Sequence, residues 1–559
     1  VMLCPFYSTK GNTPTNVGDV VITEIMADPT PVVGLPEEEY IEIFNRTNED
    51  IYLDGWTIII GNKKYNFPKE TIKAKEYAVV CHISDTALFS KYGNVLGIKS
   101  LPALPNNGST IAIKDDKESF IHGVEYTSDW YNSSLKADGG WSLEIVDIEN
   151  PFNQDNNWKA SNDISGGTPG RSNSVAGSCA DMFFEGITNV FPIDSVNIEI
   201  DFSETVFGMN GTKAITINDK VVDSFFSIDT LMRKFMLQAP FVMKKGEKYI
   251  LMIDNSVTDY AKNSADVKEF HFGLPEIVEK GDIVFNEILF NPLRGESDYI
   301  EFYNLSDKAI DMSSLWMASI NASGDTSSAT QVYKTNFILM PSSYFVITST
   351  PESVVSRYFT SDKNRIFKAT TPSMPDDKGH ILLFRKDLTI IDELIYTEKL
   401  HYSLITNREG ISLEKIRPDL PSYEGSSWHS ATETSGFGTP GLANSIQQNE
   451  LPASEKRVVL SSSRITPDND GNEDILSIKI SLEGLDNVIS VTIFSETGKM
   501  IRRLAENVTV GEESEILWDG TYANGSLVRN GIYVILVETY SHYGDMHVDK
   551  QVCTVLRKN

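Results

Sequence analysis

The chain has little of what bond-breaking chemistry usually needs. Its 559 residues hold four cysteines, Cys4, Cys81, Cys179 and Cys553, far apart and without a CxxC pair. That spacing excludes a disulfide-built scaffold and a thiolate zinc site. Cys81 and Cys553 sit in strand-like apolar runs and read as small buried hydrophobes. The eight histidines, His82, His122, His271, His380, His401, His429, His542 and His547, are scattered, and no HExxH, GxSxG or GxxxxGK[ST] string occurs. No nucleophile with its base can be read, so no catalytic residue and no certain cofactor is expected. Positive charge is scarce as well. The formal net charge of −29 repels nucleic acid and anionic lipid heads, and "MKKGEK" near Lys244 and "MIRRL" near Arg502 read as solvated strand ends. Past the N-terminal residues no run of about 18 apolar residues exists, so no transmembrane span is expected.

Long Ala/Leu/Glu/Lys helical runs are missing too. What is there instead is 40% hydrophobic residues and 10% aromatics, with many Val and Ile, a sheet-forming composition. The length calls for several hydrophobic cores, roughly three to five domains. In "VVITEI", Val20, Ile22 and Glu24 alternate against Val21, Thr23 and Ile25. In "YIEIF", Ile41 and Ile43 share a face opposite Glu42. Turns such as "PNNGS" (Pro105 to Ser109) and "ADGG" (Ala137 to Gly140) punctuate these runs. The expected fold class is all-β, a series of immunoglobulin-like β-sandwich domains.

The chain also repeats itself. "GDVVITEIMADP" (Gly18 to Pro29) returns as "GDIVFNEILFNP" (Gly281 to Pro292), and "EYIEIFNRTNEDIYLDGW" (Glu39 to Trp56) as "DYIEFYNLSDKAIDMSSLW" (Asp298 to Trp316). Farther on, "WSLEIVD" (Trp141 to Asp147) matches "ISLEKIR" (Ile411 to Arg417), Trp158 matches Trp428, and "GGTPGRSNS" (Gly166 to Ser174) matches "GFGTPGLANS" (Gly436 to Ser445). Each copy runs about 160 residues, far longer than a solenoid unit, so each should be a whole domain that folds independently. Trp56 and Trp316 read as core anchors between sheets.

Through these strings both copies resemble the lamin-tail domain, an immunoglobulin-like β-sandwich also found in bacterial secreted and envelope proteins, often in Bacteroidetes. The resemblance implies an extracytoplasmic module without a fixed enzymatic role. Between the copies, "VNIEIDFSETV" (Val196 to Val206) and "VTDYAKN" (Val257 to Asn263) are similar to the bacterial Ig-like domain of surface proteins, with Lys262 where that family carries glycine. After the polar linker around Ser445 to Arg457, "WDG" (Trp518 to Gly520) and "NGIYVI" (Asn530 to Ile535) resemble the Ig-like domain of the flagellar hook-capping protein and C-terminal modules of Bacteroidetes secreted proteins. The expected organisation is a signal remnant or flexible N-terminus over 1–17 and lamin-tail-like sandwiches over 18–175 and 280–447. A bacterial Ig-like domain over 178–275 and a hook-capping-like domain over 458–559 complete it.

Three places invite chemistry. Glu24 and Glu42 recur as Glu287 and Glu301 and can face each other on neighbouring strands. Opposed like charges then need a Lys, Arg, hydroxyl or cation to compensate them, unless they simply form the polar outer face of a sandwich. In "TPDNDGNED", Asp468, Asp470, Asn472 and Asp474 offer hard oxygens around Gly471, as a calcium loop does. Ser477 stands where an EF-hand needs a bidentate Glu, and a turn held by Asx hydrogen bonds explains the same residues. Asp254 and Asp259, and the pair His542 and His547, carry weaker metal readings. Cys4 reads either as a lipid-anchored cysteine or as part of an ordinary secretory signal, and the bulky Leu3 before it favours the second.

The reading that results is a non-catalytic extracytoplasmic binding or assembly protein of the periplasm, the outer-membrane periphery or the cell surface. It would meet envelope proteins or a glycan, as subunit or accessory of a larger complex. The alternative is an accessory module of a secreted hydrolase or nuclease.

Overall fold

The structure, a computed structural model, describes residues 15–153, 156–211, 213–321, 323–360, 363–402, 405, 407–447, 457–468, 473–485, 487–541 and 546–556. The chain is all-β, a series of immunoglobulin-like sandwiches. Each sheet draws its strands from one stretch of sequence. The chain divides into two compact units, one running to Lys244 plus Lys248–Phe272, the other comprising Lys245–Glu247 and Gly273–Asn559.

In the first unit a six-stranded sheet runs Trp158–Ala160, Leu143–Ile145, Val20–Met26, Tyr40–Asn45, Tyr77–His82, Asn94–Ile98, antiparallel until its last, parallel pair. It faces a four-stranded sheet of Phe120–Thr127, Gly108–Lys114, Thr57–Ile60 and Lys63–Asn66. Ile22, Ile41, Ile43, Ile58, Ile113 and Trp158 belong to the shared core. The second unit builds the same pair of sheets from the second copy. The order Trp428–Ser430, Leu413–Lys415, Ile283–Leu289, Tyr299–Asn304, Tyr344–Thr348, Ile366–Lys368 again ends on a parallel pair.

Residues 184–272 of the first unit form a five- and a four-stranded sheet. They pack on the first copy: Leu231 joins Ile59, Ala112, Phe120 and Phe152 in a secondary cluster. Gly123 leaves room there: a Cβ would lie 2.4 Å from Leu231 Cδ2, so the leucine would have to shift. Residues 458–555 of the second unit form a three-stranded and a five-stranded sheet around Trp518, Ile478, Ile493 and Ile535.

Two expectations need correcting. Plain alternation puts Glu24 on the face of Val20 and Ile22, yet the register shifts between Ile22 and Glu24. A bulge at Thr23 lets Ile25 and Ala27 follow Ile22 into the core and turns Glu24 to the other face. The same shift falls between Phe285 and Glu287. Trp56 is buried in the core, but Trp316 is only half-buried and Leu315 fills the core position. A one-residue slip in a period-two strand exchanges the faces.

Candidate functional site: two buried carboxylate triads

The bulge brings three glutamates together. Glu24 lies opposite Glu42 on one neighbouring strand and opposite Glu144 on the other. In the second copy Glu287 lies between Glu301 and Glu414 in the same way. All six are 0% exposed. The expectation of a polar, solvated outer face is therefore wrong. The outer face of the six-stranded sheet is covered, partly by Leu35, Phe89 and Tyr92 packed on Met26, Tyr40 and Val79, and over the carboxylates by the segment that closes each copy.

That closing segment is the repeated GTPG string. The Thr168 amide donates to Glu24 Oε1 at 2.7 Å and the Gly170 amide to Glu42 Oε2 at 2.5 Å. Thr168 Oγ1 donates to Glu144 Oε1 at 2.9 Å, and the Ser174 hydroxyl to Glu144 Oε2 at 2.7 Å. From the sheet, Tyr40 Oη and Ser142 Oγ donate to Glu24 at 2.8 and 2.6 Å, and Thr23 Oγ1 to Glu42 at 2.8 Å. Asn173 Nδ2 ties the segment to the Thr23 and Ile145 carbonyls.

The second copy repeats this bond for bond. The Thr439 amide donates to Glu287 at 2.9 Å, the Gly441 amide to Glu301 at 2.6 Å, and Thr439 Oγ1 and Ser445 Oγ to Glu414, each at 2.8 Å. Tyr299 and Ser412 stand in for Tyr40 and Ser142. Asn286 Nδ2 replaces the Thr23 hydroxyl at Glu301.

The same packing demands glycine. A Cβ at Gly167 would lie 2.6 Å from both Glu24 Oε1 and Tyr40 Oη, and Gly170 holds φ +81 with the Tyr92 carbonyl 1.6 Å from where its Cβ would be.

Burial sets the protonation. It pushes Glu24 up to about 7 and Glu414 up to about 8, with the neighbouring carboxylate charge adding to it, against hydrogen bonds that favour the ionised form. Glu42 and Glu301 are raised well above the usual carboxylate range by burial and then by Glu24 and Glu287. Like charges this close do not all ionise, so the triads hold protons at neutral pH. Such a triad can clamp a loop and store protons. Sealed in this way, it presents no acid or base to a substrate.

A second polar position lies beside each bulge. The Ile22 amide, left out of the strand ladder, donates to His122 Nδ1 at 3.1 Å, and His122 Nε2 meets the Pro151 carbonyl at 3.0 Å. In the second copy the Phe285 amide donates to Asp392 Oδ2 at 2.9 Å. Asp392 also accepts from Ser422 Oγ at 2.6 Å, and Ser422 Oγ accepts from Lys415 Nζ at 2.8 Å. Serine between lysine and aspartate is the arrangement nearest to an activated nucleophile among the described residues. Ser422 is buried, however, and the chain of bonds serves the bulge.

The other candidates fare differently. Of the calcium-loop residues, Asp470 and Asn472 lie outside the described residues, while the Asp468 amide donates to the carboxylate of Asp474, six residues on, at 2.9 Å. Asp259 comes together with Asp181 and Glu204, with carboxylate oxygens within 4.8 Å of one another, while Asp254 instead accepts from the Ser256 amide. His542 and Cys4 lie outside the described residues. His547 is exposed, and Cys81 and Cys553 are buried. In the second copy a cleft of about 760 Å³ is lined by Asn321, Asp325, Asp377, Lys378, His380 and Ile395.

Sequence reasoning singled out Glu24, Glu42, Glu287 and Glu301 but missed Glu144, Glu414, His122, Asp392 and Lys415. The signal for the third glutamate was present, since the SLE of "WSLEIVD" recurs in "ISLEKIR".

Residues 13–128 match the family model of the Lamin Tail Domain. The match takes in Glu24, Tyr40 and Glu42 and ends before Glu144 and the closing segment. No curated protein matches the chain. Among solved structures, dimeric latent PorU from Porphyromonas gingivalis is similar at 10% identity over 80% of this chain and 40% of that one, with a TM-score of 0.16. PorZ, a surface component of the type-IX secretion system of Porphyromonas gingivalis, is similar at 10% identity over 93% of this chain and 69% of that one, TM-score 0.16. SGBP-B of the Bacteroides ovatus mixed-linkage glucan utilization locus is similar at 9% identity over 93% and 91%, TM-score 0.15. No helix is long and apolar enough to cross a membrane among the described residues.

Proposed function

We propose that this chain is a non-catalytic binding or assembly protein acting outside the cytoplasm, a subunit or accessory of an outer-membrane or cell-surface complex. Four sandwiches over 18–175, 178–275, 280–447 and 458–559 would serve as spacers and docking surfaces. The observation that carries this reading is the fate of the recurring carboxylates. The acidic groups that looked most able to do hydrolytic work are spent, in both copies, on clamping the chain's own closing segment. The cleft at Asn321, Asp377 and His380 offers polar and apolar side chains to a glycan or a peptide loop.

The test is affinity capture from envelope extract with the full chain, run beside hydrolysis assays on phosphodiester and glycan substrates. Recovery of a stable protein or glycan partner and no turnover is the expected result. Turnover that disappears in Glu42→Gln or Glu301→Gln protein would replace this reading with that of a hydrolase accessory.

A further inference from the structure

The first unit holds two sandwiches against each other, and a histidine lies directly behind their contact. Phe152 of the first copy is 1% exposed and meets the rings of Phe207 and Tyr260, from residues 184–272, at centroid distances of 5.9 and 4.8 Å. Leu231, from the same region, lies over Gly123 and joins Ile59, Ala112 and Phe120. On its other side Phe152 meets the His122 ring at 4.9 Å, and the carbonyl of Pro151, the residue before it, accepts from His122 Nε2 at 3.0 Å. His122 Nδ1 in turn accepts from the Ile22 amide. Both nitrogens of this fully buried ring are thus committed to backbone groups, and only the neutral imidazole satisfies both.

The second copy lacks this set. At the positions of His122, Gly123 and Phe152 it carries Asp392, Glu393 and Ser422, and Ile390, where the first copy buries Phe120, is 42% exposed. The histidine, the glycine and the phenylalanine therefore stand together in the copy that another sandwich covers. We propose that His122 is a proton-operated latch: when its ring takes up a proton, the sandwich of residues 184–272 is released from the first copy. A proton on Nδ1 sets it donor to donor against the Ile22 N–H, so the ring must turn away, and the Pro151 carbonyl and the Phe152 ring lose their support. The surroundings do not neutralise the new charge. Glu24, on the packed strand Val20–Met26, is turned to the opposite face by the bulge, and Ile113 stands opposite the histidine on the neighbouring strand. Glu125, on the histidine's own strand, is paired with Arg233 across the contact. The charge that does reach the ring is that of Arg46, which bonds Glu149 and the Tyr260 hydroxyl and repels an imidazolium. Lys262, over the Phe207 ring, adds a further cation to the contact. Burial first and Arg46 after it hold the imidazole down at about 4, below the ordinary 6.5 that it regains on release, so release is favoured as pH falls from 6.5 toward 4. The two sandwiches stay joined through residues 177–183, so what opens is a hinged pair of apolar faces, at Ile59, Ala112 and Leu231, that the closed form hides.

The test is native-state thiol reactivity in the full chain, with Ala112→Cys as a probe between the sandwiches and the buried Cys81, inside the first copy, as the control for unfolding. Corrected for thiol ionisation against a free cysteine peptide, the rate at position 112 should rise about tenfold from pH 7 to pH 5, with no rise at Cys81. His122→Asn keeps an acceptor for the Ile22 amide, as Asp392 does for Phe285, and should remove the rise. Leu231→Ala loosens the contact without touching the histidine, and it decides the matter where His122→Asn fails to fold. It should speed the reaction at both pH values and, by reciprocity, raise the apparent His122 pKa read by NMR. A flat rate at position 112, a rise matched at Cys81, a rise that survives His122→Asn, or a histidine titration indifferent to Leu231→Ala overturns the proposal.

Discussion

The two copies agree at their carboxylates and differ at the position next door. Each has three buried glutamates in register, a tyrosine and a serine on the central one, and a Thr-Pro-Gly turn above them. Yet the group that answers the bulged strand's amide is a histidine in one and an aspartate in the other. A bulge always strands a backbone N–H, and a buried N–H must find an acceptor. The neutral Nδ1 of His122 and the carboxylate of Asp392 meet that need equally. The two acceptors differ in the company they require. His122 needs only the Pro151 carbonyl, whereas Asp392 brings Ser422 and Lys415 in with it, a lysine at the position Ile145 holds in the first copy. The demand at the bulge comes from the backbone, and the chemistry that meets it is free to vary. The demand at the glutamates comes from the closing segment, and there the donors repeat almost atom for atom.

The largest effect should come from deleting a triad member. Glu24→Ala leaves the Thr168 amide and the Ser142 and Tyr40 hydroxyls without their acceptor and should cost about 3–5 kcal/mol in chemical denaturation. Glu287→Ala should cost the same in the second copy. A large difference between the two would break the equivalence of the copies. Gly170→Ala, which forces a Cβ onto the Tyr92 carbonyl at φ +81, should cost about 2–3 kcal/mol in thermal melts. Glu42→Gln, which mimics a protonated carboxyl, should cost only about 1 kcal/mol at pH 7.

Acidity separates the copies further. Glu24 and Glu414 bind protons more tightly folded than unfolded, so their contribution is full below about pH 4.5 and fades as pH rises through about 7 and about 8. Hydrogen exchange over residues 166–174 and 438–445 should therefore quicken between pH 6 and 9. His122 works in the opposite sense. Burial pushes its imidazole down to about 4, so the stability it supports is lost as pH falls from 6.5 toward 4. Below pH 6, then, opening around Ile22 should accelerate while the second copy, with Asp392 at that position, responds less. The smallest effect is expected from Asp392→Asn, which keeps an acceptor for Phe285 but removes the charge nearest Lys415. A loss of about 1 kcal/mol or less, together with a lower Lys415 pKa read by NMR, is the expected outcome.

Much of this was legible in the sequence. Alternating apolar residues, turn strings and the long repeat suffice for the all-β class, and the recurrence of Glu24 with Glu42 was enough to mark them. Their surroundings were not legible. The segment that covers them lies more than 120 residues downstream, and nothing local to "ITEI" announces a lid. The bulge at Thr23 exists only against a partner strand, so plain alternation put Glu24 on the wrong face. The slip that exchanges Leu315 for Trp316 arises because "MSSLW" holds one residue more than "LDGW": Ser313 and Ser314 take the places of Asp54 and Gly55, so Leu315 falls where Trp56 stands. The string GTPG was visible twice, and its meaning depended on knowing which side chains its amides meet.

Those strings stand near the last residues of each copy, where the chain departs for its next sandwich. Tension applied from the C-terminal side would reach the first copy through the bonds of Cys179, Gly177 and Val175, and then through Ser174, Asn173, Gly170 and Thr168, before it reached the strands. It would be shared among several short bonds pulled at once. Each copy thus carries a mechanical fuse at its exit, rated by the protons its carboxyls hold.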